Sequence, residues 1–262
     1  MKTVRSKDGT TIAYDRTGEG RPVILVDGAL CSRAFGPMPK LVPLLARHFT
    51  VYHYDRRGRN ASGDTAPYSV DREVEDLAAV INEAGGWAFV LGVSSGAALA
   101  LVGAASGLSI KKLALYEPPF IANGHGHQPP ADSQGHLQRL ISDNRRGDAV
   151  KFFMTKMVGA PAFVAIIMPL TPVWKKLKAA AHTLPYDAAV MGDFTVPTES
   201  VSSVAAPTLV MDGGKSPARL RLAVENVTNA VPGAQRVTLK GQTHNVAMKV
   251  LAPVVEEFFT CN

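Results

Sequence analysis

Six short runs rich in β-branched and apolar residues, interleaved with helical patterns, constrain this chain more than any other feature. They read PVILVDG (22–28), FTVYHYD (49–55), WAFVLGVS (87–94), IKKLALYE (110–117), PTLVMDG (207–213) and QRVTLKG (235–241). Such runs suit strands buried on both faces, as in a parallel sheet. Helical patterns fall at 38–47, 70–84, 95–105, 217–231 and 246–259. In the second of these, Val74, Leu77, Val80 and Ile81 form an apolar stripe against Arg72, Glu73 and Asp76. The alternation predicts the α/β class: βαβ units in a mostly parallel twisted sheet, with helices on both faces. Ahead of it, residues 3–14 predict a hairpin turning at Lys7-Asp8-Gly9.

One stretch breaks the rhythm. Residues 120–197 show no strand pattern and read as a helical cap insertion over the strand ends, dividing one core domain into 1–119 and 198–262. Phe152, Phe153, Met154, Met157 and Trp174 are candidates to line a pocket there, with packing against one another as the alternative. His125, His127 and His136 are candidates to touch a substrate.

In open α/β sheets ligands bind beyond the carboxyl ends of the strands, so strand-ending residues matter most. FVLGVSSGAALAL (89–101) passes from a strand pattern to a small-residue helix through Gly92-Val93-Ser94-Ser95-Gly96. A sharp turn there pushes one side chain into the cleft, and glycines on either side let neighbouring backbone approach. The register selects Ser94 as nucleophile. Ser95 opens the helix, where its N–H can face a developing oxyanion. The same spacing also suits a packing turn with an idle serine.

A serine hydroxyl needs a base. Of seven histidines, His244 follows the last strand in LKGQTHNVA, at the loop opening the final helix. His48 and His53 read as structural. Gly-His-Gly-His at 124–127 has no third ligand spaced to close a metal site, so neither a metal nor a cofactor is expected. Carboxylates available to orient His244 are Asp27, Asp55, Glu117, Asp212 and Asp193.

Composition narrows the partners. The net charge is +6, yet the basic residues are scattered, the densest run being Arg56-Arg57-Gly58-Arg59. A solvated basic surface is therefore expected, and nucleic acid is not. No apolar run reaches the roughly 20 residues that span a bilayer, and the first residues hold no apolar leader. Two cysteines, Cys31 and Cys261, fit a cytoplasmic protein without a disulfide framework. A small-molecule partner is expected, and a homodimer stays open.

Taken together, the motifs resemble α/β-hydrolases along nearly the whole chain. The residues that carry this are ILVDGALCS, DRRGRNASGDT, LGVSSGAA, PTLVMDGGKSP and GQTHNVAMKVLAPVVEEFF. The resemblance implies an α/β-hydrolase fold with Ser–acid–His machinery under a helical cap, acting on a carboxylic ester or lactone. One departure is informative. Many members place the acid after the penultimate strand in a Gly-x-x-Asp-Pro pattern, and this chain has Gly213-Gly214-Lys215-Ser216-Pro217. Glu117, which ends a strand before Pro118-Pro119, becomes the preferred acid, with Asp212 and Asp193 as alternatives. Fungal lactonases that open zearalenone-type macrocycles are similar here, with a Ser-Ser-Gly elbow, an Asp-Gly turn and a Glu at this strand end. The implied oxyanion donors are the N–H groups of Ser95 and of Gly28 or Ala29. Asp27 is expected to turn away and bond to backbone or to a basic residue such as Arg56.

The expected reaction runs through an acyl-enzyme on Ser94, with His244 as general base and then acid. Perhydrolysis, C–C cleavage, another biosynthetic step, or ligand binding by a disabled triad are the alternatives. Serine rather than aspartate at position 94 argues against the epoxide hydrolases and haloalkane dehalogenases of this fold.

Overall fold

The computed structural model describes residues 1–121 and 127–261. Eight strands form one sheet: β1 (Lys2–Arg5), β2 (Thr11–Thr17), β3 (Arg21–Val26), β4 (Phe49–Tyr54), β5 (Ala88–Val93), β6 (Ile110–Tyr116), β7 (Thr208–Gly213) and β8 (Gln235–Leu239). Their order is β1-β2-β4-β3-β5-β6-β7-β8. β1 and β2 run antiparallel, β2 pairs antiparallel with β4, and every pairing from β4 to β8 is parallel. The hairpin turn is held locally: the Thr10 N–H donates to Asp8 Oδ1 at 2.9 Å, and Gly9 takes a φ of 83° that glycine adopts without steric cost.

The apolar runs become central strands because both sheet faces are covered. All residues of β4, β5 and β7 are buried. Alternate residues feed two cores. Ile24, Val26, Val90, Leu113, Leu115 and Val210 pack under α2 (Val70–Glu83), α3 (Ser95–Ala105) and α10 (Ala218–Ala230). Val23, Leu25, Leu91, Ala114 and Met211 pack under α1 (Met38–Leu45) and α11 (Met248–Thr260). β8 departs from the expectation of burial on both faces. It is an edge strand, and four of its five residues are exposed or half-buried.

Between β6 and β7 lie α4 (Ser133–Ser142), α5 (Arg146–Phe152) continuing into a π-turn at Phe153–Met157, α6 (Val164–Ile167), α7 (Trp174–Ala180), α8 (Leu184–Met191) and α9 (Thr198–Val201). A third apolar core gathers Leu137, Leu140, Val150, Phe153 and Leu184 from this segment around Leu30 of the β3–α1 loop. Among the described residues no helix is long and apolar enough to cross a membrane.

Candidate active site

The turn between β5 and α3 puts Ser94 at φ 56°, ψ −127°, a conformation that residues with a Cβ rarely adopt. Its flanking glycines are sterically required. A Cβ at Gly92 would stand 2.5 Å from the Gly96 carbonyl oxygen, and one at Gly96 only 2.3 Å from that of Val26. Strand, turn and helix therefore pack backbone to backbone, and the strained residue carries its hydroxyl to the carboxyl end of the sheet.

The neighbouring strand supplies the next groups. Val93 pairs with Tyr116 in the parallel ladder, and the Ser94 N–H donates to the Tyr116 carbonyl at 2.9 Å. Glu117 then leaves β6 at φ 47° with its side chain fully buried. A buried carboxylate needs partners for both oxygens. Oε1 accepts the Gly213 N–H at 2.8 Å, and Oε2 meets His244 Nδ1 at 2.7 Å. An ionised carboxylate can only accept, so opposite an ionised Glu117 it is Nδ1 that donates, and in the neutral imidazole Nε2 then keeps its lone pair.

The loop bearing His244 is clamped from below. The Tyr116 hydroxyl donates to the Thr243 carbonyl at 2.6 Å, and the Lys215 N–H donates to that of Gln242 at 2.8 Å. A Cβ at Gly213 would lie 2.6 Å from the Gln242 oxygen, so glycine there lets the loop close on β7. Ser94 and His244 line one cavity of about 130 Å³. Ile121, Phe153, Met157, Met191 and Phe194 make much of its wall apolar.

The β3–α1 loop lies against the serine, and a Cβ on Gly28 would be 3.1 Å from Ser94 Cβ. The Gly28 carbonyl accepts from Arg59 Nη1 at 2.7 Å. Among the described residues no acceptor takes the N–H of Gly28 or Ala29. Ser95 occupies the first turn of α3, whose N–H groups lack helical partners.

The other carboxylates lie elsewhere. Asp212 binds Arg236 at 2.7 Å, and Asp193 is exposed with its Oδ1 on the Thr195 N–H. Asp55 binds Arg33 and Asn60. The basic partner of Asp27 is His53 rather than Arg56: its Oδ2 meets His53 Nε2 at 2.7 Å, and only its main-chain carbonyl receives Arg56. His53 lies on the neighbouring strand, two residues back from Asp27 in the β3–β4 register, where it faces Leu25, and the Arg56 guanidinium is held by Glu73 and Asp187 instead.

Of the aromatic and sulfur residues read as pocket candidates, Phe153 and Met157 line the cavity. Phe152 packs against His136 with the rings tilted by 38°, and Trp174 packs over Gly147. Met154 packs against the third apolar core. His127 meets the Lys156 carbonyl at 2.7 Å, and His125 lies outside the described residues.

Sequence reasoning missed one cluster. The basic run after β4 is not solvated: Arg56, Arg57 and Arg59 are each about 1% exposed. Arg57 pairs with Asp76 and Asp8, and Arg56 with Glu73. Asp187 of α8 then bridges Arg56 and Arg59, at 2.7 and 2.8 Å. It also accepts from Ser95 Oγ at 2.7 Å. Burial alone would raise the Asp187 carboxyl, but the two guanidiniums and the hydroxyl hold it below the usual carboxylate range. The one available signal was position, since the run follows a strand buried on both faces.

The alpha/beta hydrolase family matches residues 23–256. None of the curated proteins matches the chain. The crystal structure of an alpha/beta hydrolase from Sphaerobacter thermophilus is 54% identical, with a TM-score of 0.93 over 99% of this chain and 100% of that one. An enol-lactonase from Burkholderia xenovorans is 19% identical, with a TM-score of 0.72 over 99% and 100%. A thermophilic esterase from Thermogutta terrifontis is also 19% identical, at 0.72 over 98% and 97%. At 19% the likeness is one of fold.

Proposed function

Because this chain belongs to the alpha/beta hydrolase family, we propose that it is a serine hydrolase of carboxylic esters or lactones. The observation that carries this reading is the 2.7 Å contact between Glu117 and His244, with His244 and Ser94 on the wall of one cavity. Glu117 holds the imidazole in the tautomer whose Nε2 can accept a proton.

Ser94 Oγ attacks the carbonyl carbon while its proton passes to Nε2 of His244. The N–H groups of Ser95 and of Gly28 or Ala29 stabilise the tetrahedral anion, and loss of one such donor typically costs about 100- to 1,000-fold in rate. Collapse breaks the bond to the leaving alcohol, which takes the proton from His244. Water then adds to the acyl-enzyme, its proton goes to His244, and Ser94 departs with that proton as the free acid forms. For a lactone, acid and alcohol leave as one molecule. The helical segment 120–197 acts as a cap, since Phe153, Met157 and Met191 from it make part of the cavity wall.

A fluorophosphonate probe tests this directly. It is expected to add one adduct mass at Ser94 and to abolish turnover of 4-nitrophenyl butyrate, with Ser94→Ala neither labelled nor active. Folded wild-type protein that neither labels nor turns over any ester in a short-chain series would overturn the reading.

A further inference from the structure

The cavity wall holds one cation among its apolar residues. Arg219 lines it together with Ser94 and His244. Its Nη2 donates to the Val158 carbonyl at 2.7 Å, and among the described residues it has no carboxylate partner. The undescribed residues 122–126 read Ala-Asn-Gly-His-Gly and bring no side-chain carboxylate. Residue 219 is also the second residue of α10, a 13-residue helix with no acid in its first turn and no side-chain cap on its N-terminus. A helix N-terminus carries partial positive charge, so a cation there is disfavoured and an anion is welcome. The guanidinium is walled on its outer side by Gly159 and the His127 ring, since a Cβ on Gly159 would lie 2.7 Å from that ring and 3.0 Å from Arg219 Nη2, while His127 Nε2 meets the Lys156 carbonyl. Cation and helix end thus meet at the cavity, with no counter-charge for Arg219 among the described residues.

We propose that Arg219 anchors a carboxylate of the substrate, so that this hydrolase acts on short esters or lactones bearing a second, ionised carboxyl group. This rests on the hydrolase reading above and adds the substrate class. A guanidinium already held by one carbonyl keeps its remaining N–H donors for a planar carboxylate, and its orientation is set before the ligand arrives. The small apolar cavity holds the chain between the two carbonyl groups, so the anion fixes which carbonyl reaches Ser94. The net charge of +6 draws such substrates in from solution.

The test compares mono(4-nitrophenyl) glutarate with 4-nitrophenyl pentanoate, a neutral ester of the same chain length, after subtraction of spontaneous hydrolysis. Wild-type protein is expected to favour the anionic ester by about ten- to a hundredfold in kcat/KM, the range of a hydrogen bond to a charged group. The ratio is expected to shrink with added salt, since Arg219 is only half-buried. Arg219→Met is expected to bring it to unity, and Arg219→Lys to keep part of it as a point charge. Because each ratio is taken within one protein, partial loss of folded material cancels. Wild-type turnover of both esters without preference for the anion, or a ratio that Arg219→Met leaves unchanged, overturns the anchor and leaves the hydrolase reading standing. No turnover of either ester overturns the anchor, and joined to a failed fluorophosphonate label and no turnover across the short-chain series it overturns both.

Discussion

The hydroxyl of Ser95 donates to Oδ1 of Asp187 across 2.7 Å, joining the residue after the elbow serine to helix α8, 92 positions away. Asp187 is fully buried and bridges Arg56 and Arg59, and Arg59 in turn holds the Gly28 carbonyl. One carboxylate therefore ties the segment between β6 and β7 to both loops that flank Ser94. Replacing it with a neutral amide leaves two buried guanidiniums short of counter-charge.

Asp187→Asn is accordingly expected to cost about 3–5 kcal/mol of stability, as other broken buried pairs do. Its pH dependence follows from the lowered carboxyl. The ionised form stabilises the fold fully above the unfolded value of roughly 3.9 and loses that effect as pH falls through the lower folded value. Thermal unfolding of wild type and variant across pH is thus expected to show a gap in Tm that is widest near neutrality and narrows below about pH 4. A gap of constant width would argue that the carboxylate's charge is not what matters.

Glu117→Gln keeps the shape of the side chain and removes the charge beneath His244. By analogy with the same change in other triads, kcat for a 4-nitrophenyl ester should fall about 10,000-fold. Asp212→Asn should leave kcat within a few-fold, because Asp212 faces Arg236 instead. Steady-state kinetics on the two variants decide between the carboxylates, and the reverse ranking would transfer the role.

The positive φ of Ser94 implies a stability test independent of chemistry. Ser94→Ala keeps the Cβ in a strained conformation, whereas Ser94→Gly removes it. The glycine variant is expected to be more stable than the alanine variant by about 1 kcal/mol, readable in denaturant midpoints. Equal midpoints would mean that the turn stores no strain at this residue.

Gly96→Ala probes the close approach behind the serine. Its Cβ would meet the carbonyl oxygens of Val26 and Asp27 at 2.3 and 2.5 Å, and backbone on both sides has nowhere to go. A loss of about 3 kcal/mol or more is expected, together with ester turnover reduced beyond the loss of folded protein. Alanine at Gly63, which has no positive φ and where a Cβ would meet nothing closer than 3.4 Å, serves as the control.

Local pattern determined much of this protein. A β-branched run next to a 3.6-residue stripe has few other ways to bury its apolar surface, so strands, helices and the mostly parallel sheet were legible in order. The elbow was legible as well, because Gly92, Ser94 and Gly96 are neighbours in the chain and their spacing is a local steric requirement. Position at strand ends also pointed to His244 and Glu117. Only the tertiary structure decided which carboxylate met the imidazole, that His53 rather than Arg56 takes Asp27, and that three consecutive-looking surface arginines are buried on acids from α2, α8 and the first hairpin. It likewise decided that Phe153 and Met157, but not Phe152 or Trp174, face the cavity. Pairings of this kind join residues tens of positions apart, and their energy depends on desolvation and geometry that exist only once the chain has closed around them.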